Sequence, residues 1–161
     1  MNGSHLTSVR FHPDGGLFAT SQLDGVIKLW DITSQQEILK LVDHGMERVN
    51  SISFSENGYY LASCGEEDQT VRVWDIRKNK VLKSLQLEED NYVSKVEFDN
   101  SGNYLTLSGH KFGICDVKSM TLLNTQKYEN HTNICTSTKF GNNTDSYIIS
   151  SSLDGEIKIH A

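Results

Sequence analysis

Residues 23–32 read LDGVIKLWDI, and the chain returns to this stretch in altered form. Residues 67–76 read EDQTVRVWDI and residues 153–161 read LDGEIKIHA. Trp30 and Trp74 stand 44 residues apart, and the Cys115–Asp116 pair follows Trp74 by 41. Phe11, Phe54, Phe98 and Phe140 keep similar time, at spacings of 43, 44 and 42 residues. Self-similarity at a fixed period of about 40–45 residues means one supersecondary unit copied several times, each copy burying its apolar face against the next.

Each copy parses into short alternating strands separated by turn chemistry. The first predicts strands at 6–11, 17–21, 26–30 and 37–42, with His12-Pro13-Asp14-Gly15-Gly16 and Leu23-Asp24-Gly25 as turns. The second predicts 49–54, 59–63, 69–74 and 80–87. The third predicts 93–98, 104–108 and 112–115, and the fourth 134–140, 147–151 and 156–160. Four short antiparallel strands per period, with a Trp-Asp pair, resemble the blades of a WD40 β-propeller. The expected fold is all-β: about four blades, repeats near 6–42, 43–87, 90–126 and 131–161, the last without its fourth strand. Such a run reads as the back part of a larger ring.

WD40 blades characteristically link tryptophan, Ser or Thr, histidine and a turn aspartate by hydrogen bonds, and the resemblance assigns such relays here. The second repeat offers His44, Ser63, Asp68 and Trp74. The first offers Thr20, Asp24 and Trp30 without a histidine. The fourth offers His131, Ser150 and Asp154, with His160 where tryptophan belongs; the third offers none. Read as chemistry, His44, Ser63 and Asp68 would be a hydrolase triad. That reading needs an exposed serine and an oxyanion hole, no GxSxG elbow is present, and repetition across blades favours architecture. No metal-ligand spacing, GxGxxG or P-loop occurs, so neither metal nor cofactor is expected.

Composition narrows the partners. A net charge of −6 argues against a surface built to neutralise phosphates, so no direct nucleic-acid site is expected. No apolar run is long enough for a membrane helix. Three widely spaced cysteines fit packed, reduced thiols of an intracellular protein. What remains is an interaction platform whose loops carry binding. Met46, Arg48, Glu66, Glu67, Glu88, Glu89 and Tyr128 are the candidate partner-binding loop residues, the acidic ones suited to steering a basic peptide.

Five segments sharpen the resemblance: residues 11–20 (FHPDGGLFAT), 54–63 (FSENGYYLAS), 85–91 (LQLEEDN), 98–105 (FDNSGNYL) and 151–161 (SSLDGEIKIHA). Together they resemble the C-terminal WD40 domain of the pre-mRNA-processing factor 19 family, spliceosome-associated U-box ubiquitin ligases. The resemblance implies the last four blades of a seven-bladed ring. It also implies nuclear localisation and a role binding ubiquitination substrates and splicing-complex subunits, with ligase chemistry in an N-terminal domain absent here. A generic WD40 scaffold of another intracellular complex is the alternative. Open blade edges also invite self-association, with a second copy or with blades supplied in trans; a compact four-bladed ring is the remaining possibility.

Overall fold

The computed structural model describes residues 4–42, 48–65, 69–88, 92–123, 131–141 and 147–160. It is all-β, with four antiparallel sheets and no helix among the described residues. Sheet I holds β1 (Leu6–Phe11), β2 (Leu17–Gln22), β3 (Val26–Asp31) and β4 (Gln36–Val42). Sheet II holds β5 (Val49–Phe54), β6 (Tyr60–Gly65), β7 (Thr70–Asp75) and β8 (Lys80–Gln86). Sheet III holds β9 (Val93–Phe98), β10 (Tyr104–Gly109), β11 (Gly113–Asp116) and the two-residue β12 (Thr121–Leu122). Sheet IV has three strands, β13 (Cys135–Phe140), β14 (Ile148–Ser152) and β15 (Ile157–His160). Every sheet is a meander in chain order.

The repeat extends to details of register. Each first strand breaks step with the second near its start, at Leu6/Ser8, Val49/Ser51, Val93 and Cys135/Ser137. A bulge at the same place in four sheets re-aims the same residues and adds twist. The Asp of each Trp-Asp or Cys-Asp pair closes the next turn: Asp31 accepts from Ser34 N–H at 2.6 Å, Asp75 from Lys78 at 3.2 Å and Asp116 from Ser119 at 2.7 Å. Those bonds let Gln35, Asn79 and Met120 hold positive φ, a conformation costly without such support.

Sheets stack in sequence through their faces. Ala19, Ile27, Leu29 and Leu41 of sheet I meet Ile52, Leu61 and Trp74 of sheet II. The other face of sheet II, with Ala62, Val71 and Val73, meets Val96, Phe98 and Leu105 of sheet III. Phe112 and Ile114 then meet Ile148 and Phe140 of sheet IV. Each such aliphatic side chain, fully buried, contributes roughly 1.5–3 kcal/mol. Because strand residues alternate between faces, one repeat pattern supplies both the forward and the backward contact.

The turns add to the joint. His12 lies edge-on to Phe54 at 5.1 Å and its Nε2 bonds the Gly58 carbonyl at 2.9 Å, so the first turn of sheet I rests on that of sheet II. Gly58 has φ +71°, and a Cβ there would come within 2.3 Å of the His12 ring. Glycine is required at this position twice over, by backbone angle and by space.

Candidate interaction surface

The turns between second and third strands are tied to the segments entering the first strands. Leu23 N–H donates to the His5 carbonyl at 2.9 Å, His110 to Tyr92 at 3.0 Å and Leu153 to Ile134 at 3.0 Å. At Gly109 the approach is so close that a Cβ would overlap the Tyr92 carbonyl. These bonds gather two kinds of loop onto one rim, where Leu23, Arg48, Glu88 and Asn133 are exposed. Met46, Glu66, Glu67, Glu89 and Tyr128, expected on the same rim, lie outside the described residues.

Beneath the rim sit the polar relays of sheets I, II and IV. In sheet I the Trp30 Nε1–H donates to Thr20 Oγ1 at 3.0 Å, and the Asp24 carboxylate accepts from Val26 N–H at 3.3 Å. In sheet II Trp74 Nε1–H donates to Ser63 Oγ at 2.8 Å; His44 and Asp68 lie outside the described residues. Among the described residues, sheet IV carries the longest chain. His131 Nδ1 bonds Asp154 at 3.0 Å, His131 Nε2 bonds Ser150 Oγ at 2.8 Å, and Ser150 Oγ bonds His160 Nε2 at 2.7 Å.

Proton bookkeeping fixes that last chain. The Asp154 carboxylate can only accept, so His131 carries its proton on Nδ1 and accepts at Nε2 from the Ser150 hydroxyl. Ser150 in turn accepts from His160 Nε2–H, so His160 does what the indole N–H does in the first two sheets. Its ring stacks on Phe112 of sheet III at 4.7 Å and 8°, filling the site with an aromatic plane. Burial would raise the Asp154 carboxyl, but the N–H groups of Glu156 and Thr132 and the His131 imidazole outweigh it and hold it at about 2.

The Ser150–His131–Asp154 distances are those of a catalytic triad, yet the surroundings deny it that use. Ser150 is wholly buried, and its free side accepts from His160 rather than facing a carbonyl to attack. The same is true of Ser63, buried under the Trp74 donor. His131, Asp154 and Glu156 also bring ligand atoms within 4.8 Å of one another. Both imidazole nitrogens are already engaged, so a cation would have to displace the Ser150 hydroxyl or the Asp154 acceptor. The geometry fits a structural relay better than a metal centre. The thiols are equally inert: burial pushes Cys115 up to about 11, aided by Asp116, and burial raises Cys135.

Sequence reasoning missed the polar stitches between sheets. Asn50 Nδ2 donates to the Val93 carbonyl at 3.1 Å, Phe98 N–H to Ser53 Oγ at 3.1 Å, and Ser108 and Thr138 share a buried bond of 2.8 Å. No motif marks these, because each joins residues of neighbouring repeats whose types differ from sheet to sheet. Nor did it foresee that the four repeat phenylalanines, Phe11, Phe54, Phe98 and Phe140, border one cleft of about 550 Å³. Arg10, Lys95 and Lys139 share its wall with Glu56 and Glu97. This cleft opens at the ends of the first strands, away from the bonded rim.

The repeat, the meander sheets and the Trp–hydroxyl bonds coincide with a known family. The model described as "WD domain, G-beta repeat" matches residues 2–31 and 35–75, which carry the first two sheets. The chain carries WD40 repeats. Among curated relatives, pre-mRNA-processing factor 19 homolog 2 of Arabidopsis thaliana is 46% identical over 61 residues, 38% of this chain and 11% of that protein. Pre-mRNA-processing factor 19 of Dictyostelium discoideum is 43% identical over 75 residues, 39% of this chain and 14% of that protein. The mitotic checkpoint protein bub-3 of Caenorhabditis elegans is 41% identical over 56 residues, 34% and 16% of the two chains. The match thus spans roughly a tenth to a sixth of each relative's length. The chain resembles the WD40 region of pre-mRNA-processing factor 19 and is a protein-interaction module of that kind.

Proposed function

We propose that this chain is the substrate- and partner-binding WD40 portion of a pre-mRNA-splicing ubiquitin ligase, nuclear and without catalysis of its own. The similarity to pre-mRNA-processing factor 19 in several organisms carries the reading. A rigid stack of sheets with an exposed loop rim supports it, since preorganised loops bind proteins without paying for their own ordering. Ligase chemistry would belong to a U-box domain outside these residues, and the propeller would hold the substrate. Arg48, Glu88 and their neighbours on the rim are the proposed contacts; the relays Trp30–Thr20, Trp74–Ser63 and His160–Ser150–His131–Asp154 hold the sheets that present them. Self-association through the open sheets is part of the same proposal.

A tagged chain used as bait should recover splicing-complex subunits, and the double charge reversal Arg48→Glu, Glu88→Lys should cut that recovery at least fivefold with the fold intact. Enrichment of some other complex in place of splicing subunits would point to the second reading, a general WD40 scaffold, which the bub-3 similarity favours.

A further inference from the structure

The first strands β1, β5, β9 and β13 lie side by side along the inner edge of the stacked sheets, where a propeller has its central channel. A cavity of about 500 Å³ opens between them, within the size range that small ligands fill. Apart from Leu6 and Val9 its wall is polar, and it holds two cations, Arg10 and Lys95, with no carboxylate. The groups around the cations are mostly committed. Asn50 donates to the Val93 carbonyl, Ser94 Oγ–H to the Ser108 carbonyl at 3.1 Å, and Thr136 Oγ1–H to the Ser151 carbonyl at 3.2 Å.

Arg10, Lys95 and Ser51 keep donors to spare. Arg10, Ser53, Glu97 and Lys139 occupy one place in the four first strands. That place looks toward the following sheet: Ser53 accepts from Phe98 N–H of sheet III, and Glu97 meets Lys139 of sheet IV at 3.7 Å. The counterpart of Arg10 on the following sheet is Ser53, which carries no charge. The Arg10 guanidinium donates to the adjacent Val9 carbonyl at 3.0 Å and makes no ion pair among the described residues. Glu56 lines the adjoining cleft but not this cavity. Lys95 donates to Ser137 Oγ at 2.6 Å and meets Glu97 at 3.7 Å, yet Glu97 is shared with Lys139, so one carboxylate answers two ammoniums. Ser51 lines the cavity, is 4% exposed, and its Oγ has no hydrogen-bond partner among the described residues. Folded chains seldom leave a buried hydroxyl unpaired.

We infer that this cavity binds a small oxyanion, a phosphate or carboxylate group held between Arg10 and Lys95, with the Ser51 hydroxyl turned to it by rotation about Cα–Cβ. A planar guanidinium takes two oxygens of such a group at once, and the ammonium adds a further charged bond. The anion offsets two like charges that share one wall and gives Ser51 the acceptor it lacks. The site stands apart from the loop rim, so it goes beyond the partner-binding reading and does not depend on it.

Titration calorimetry of the chain at constant ionic strength, with sodium phosphate and with sodium citrate as probes, tests the site. At least one probe should bind at one anion per chain. Phosphate alone would assign a phosphate ligand, citrate alone a carboxylate, and both the oxyanion chemistry they share. Arg10→Gln and Lys95→Gln should each weaken binding about tenfold or more, with unchanged circular dichroism. Ser51→Ala should weaken it about fivefold and leave the anion-free chain no less stable in denaturant, because alanine removes a hydroxyl that has no partner. A merely structural serine would do the opposite, keeping affinity and losing stability. Should Lys95→Gln fail to fold, Arg10→Gln and Ser51→Ala decide alone. Silence from both probes, an equal response to chloride, or an affinity unchanged by Arg10→Gln would overturn the site.

Discussion

In sheet III the tryptophan site is held by Cys115 and the hydroxyl site by Leu107; in sheet IV those sites are held by His160 and Ser150. Both sheets lack the indole of the first two, but they part company over the polar atoms. Sheet III has replaced donor and acceptor together, and Leu107 packs in the apolar joint with sheet II. Sheet IV has kept a donor in a smaller ring, and its chain runs on through His131 to Asp154. Neither leaves a half-made bond. Replacing both partners of a buried hydrogen bond is nearly neutral, whereas losing one costs the desolvation of the other, about 1–3 kcal/mol. The comparison shows a buried polar network changing as a unit, by deletion or by substitution.

Returning one polar atom to sheet III should break that rule most severely. Leu107→Ser removes a buried side chain and adds a hydroxyl facing Cys115 rather than an indole, and should destabilise the chain by about 3–5 kcal/mol in denaturant unfolding. In sheet IV, Ser150→Ala strands His131 Nε2 and His160 N–H at once, with an expected loss of about 2–3 kcal/mol. Hydrogen exchange should place that loss in β14 and β15. An equal loss of protection in sheets I and II would mean that the relay acts on the whole stack rather than on its own sheet.

The smallest effect distinguishes the sheets by pH. Asp154 titrates at about 2 when folded against an ordinary 3.8, so its carboxylate binds fewer protons folded than unfolded. Its contribution is complete above about pH 4 and fades as pH falls through about 2. Protection of β15 amides should drop across that window, and the drop should disappear in Asp154→Asn. Sheet III has no counterpart aspartate and should show no such step at β11 beyond what Asp116 contributes through its turn.

Much of this was readable from residues alone. Alternation and turn glycines located fourteen of the fifteen strands to within about two residues, missing the two-residue β12, because strand alternation and turn angles are local properties. The Trp30–Thr20 and Trp74–Ser63 partners could be named because the resemblance to WD40 blades implies a hydroxyl on the strand beside the tryptophan, within one sheet. His160 was recognisable as standing in the tryptophan's place, but its stacking on Phe112 was not, since that ring arrives from the preceding sheet.

The division follows from where each constraint resides. The sequence by itself determined the period, the meander, the turns and which residues share a sheet face, all set within one repeat. The tertiary structure alone decided which faces are covered. Ile27 and Ile157 occupy the same place in the same pattern, yet one is sealed and the other open, because burial belongs to the neighbour and not to the strand. For the same reason the stitches Asn50–Val93, Ser53–Phe98 and Ser108–Thr138 carry no signature: they join different repeats, and whatever hydroxyl, amide or backbone group lies opposite completes the bond.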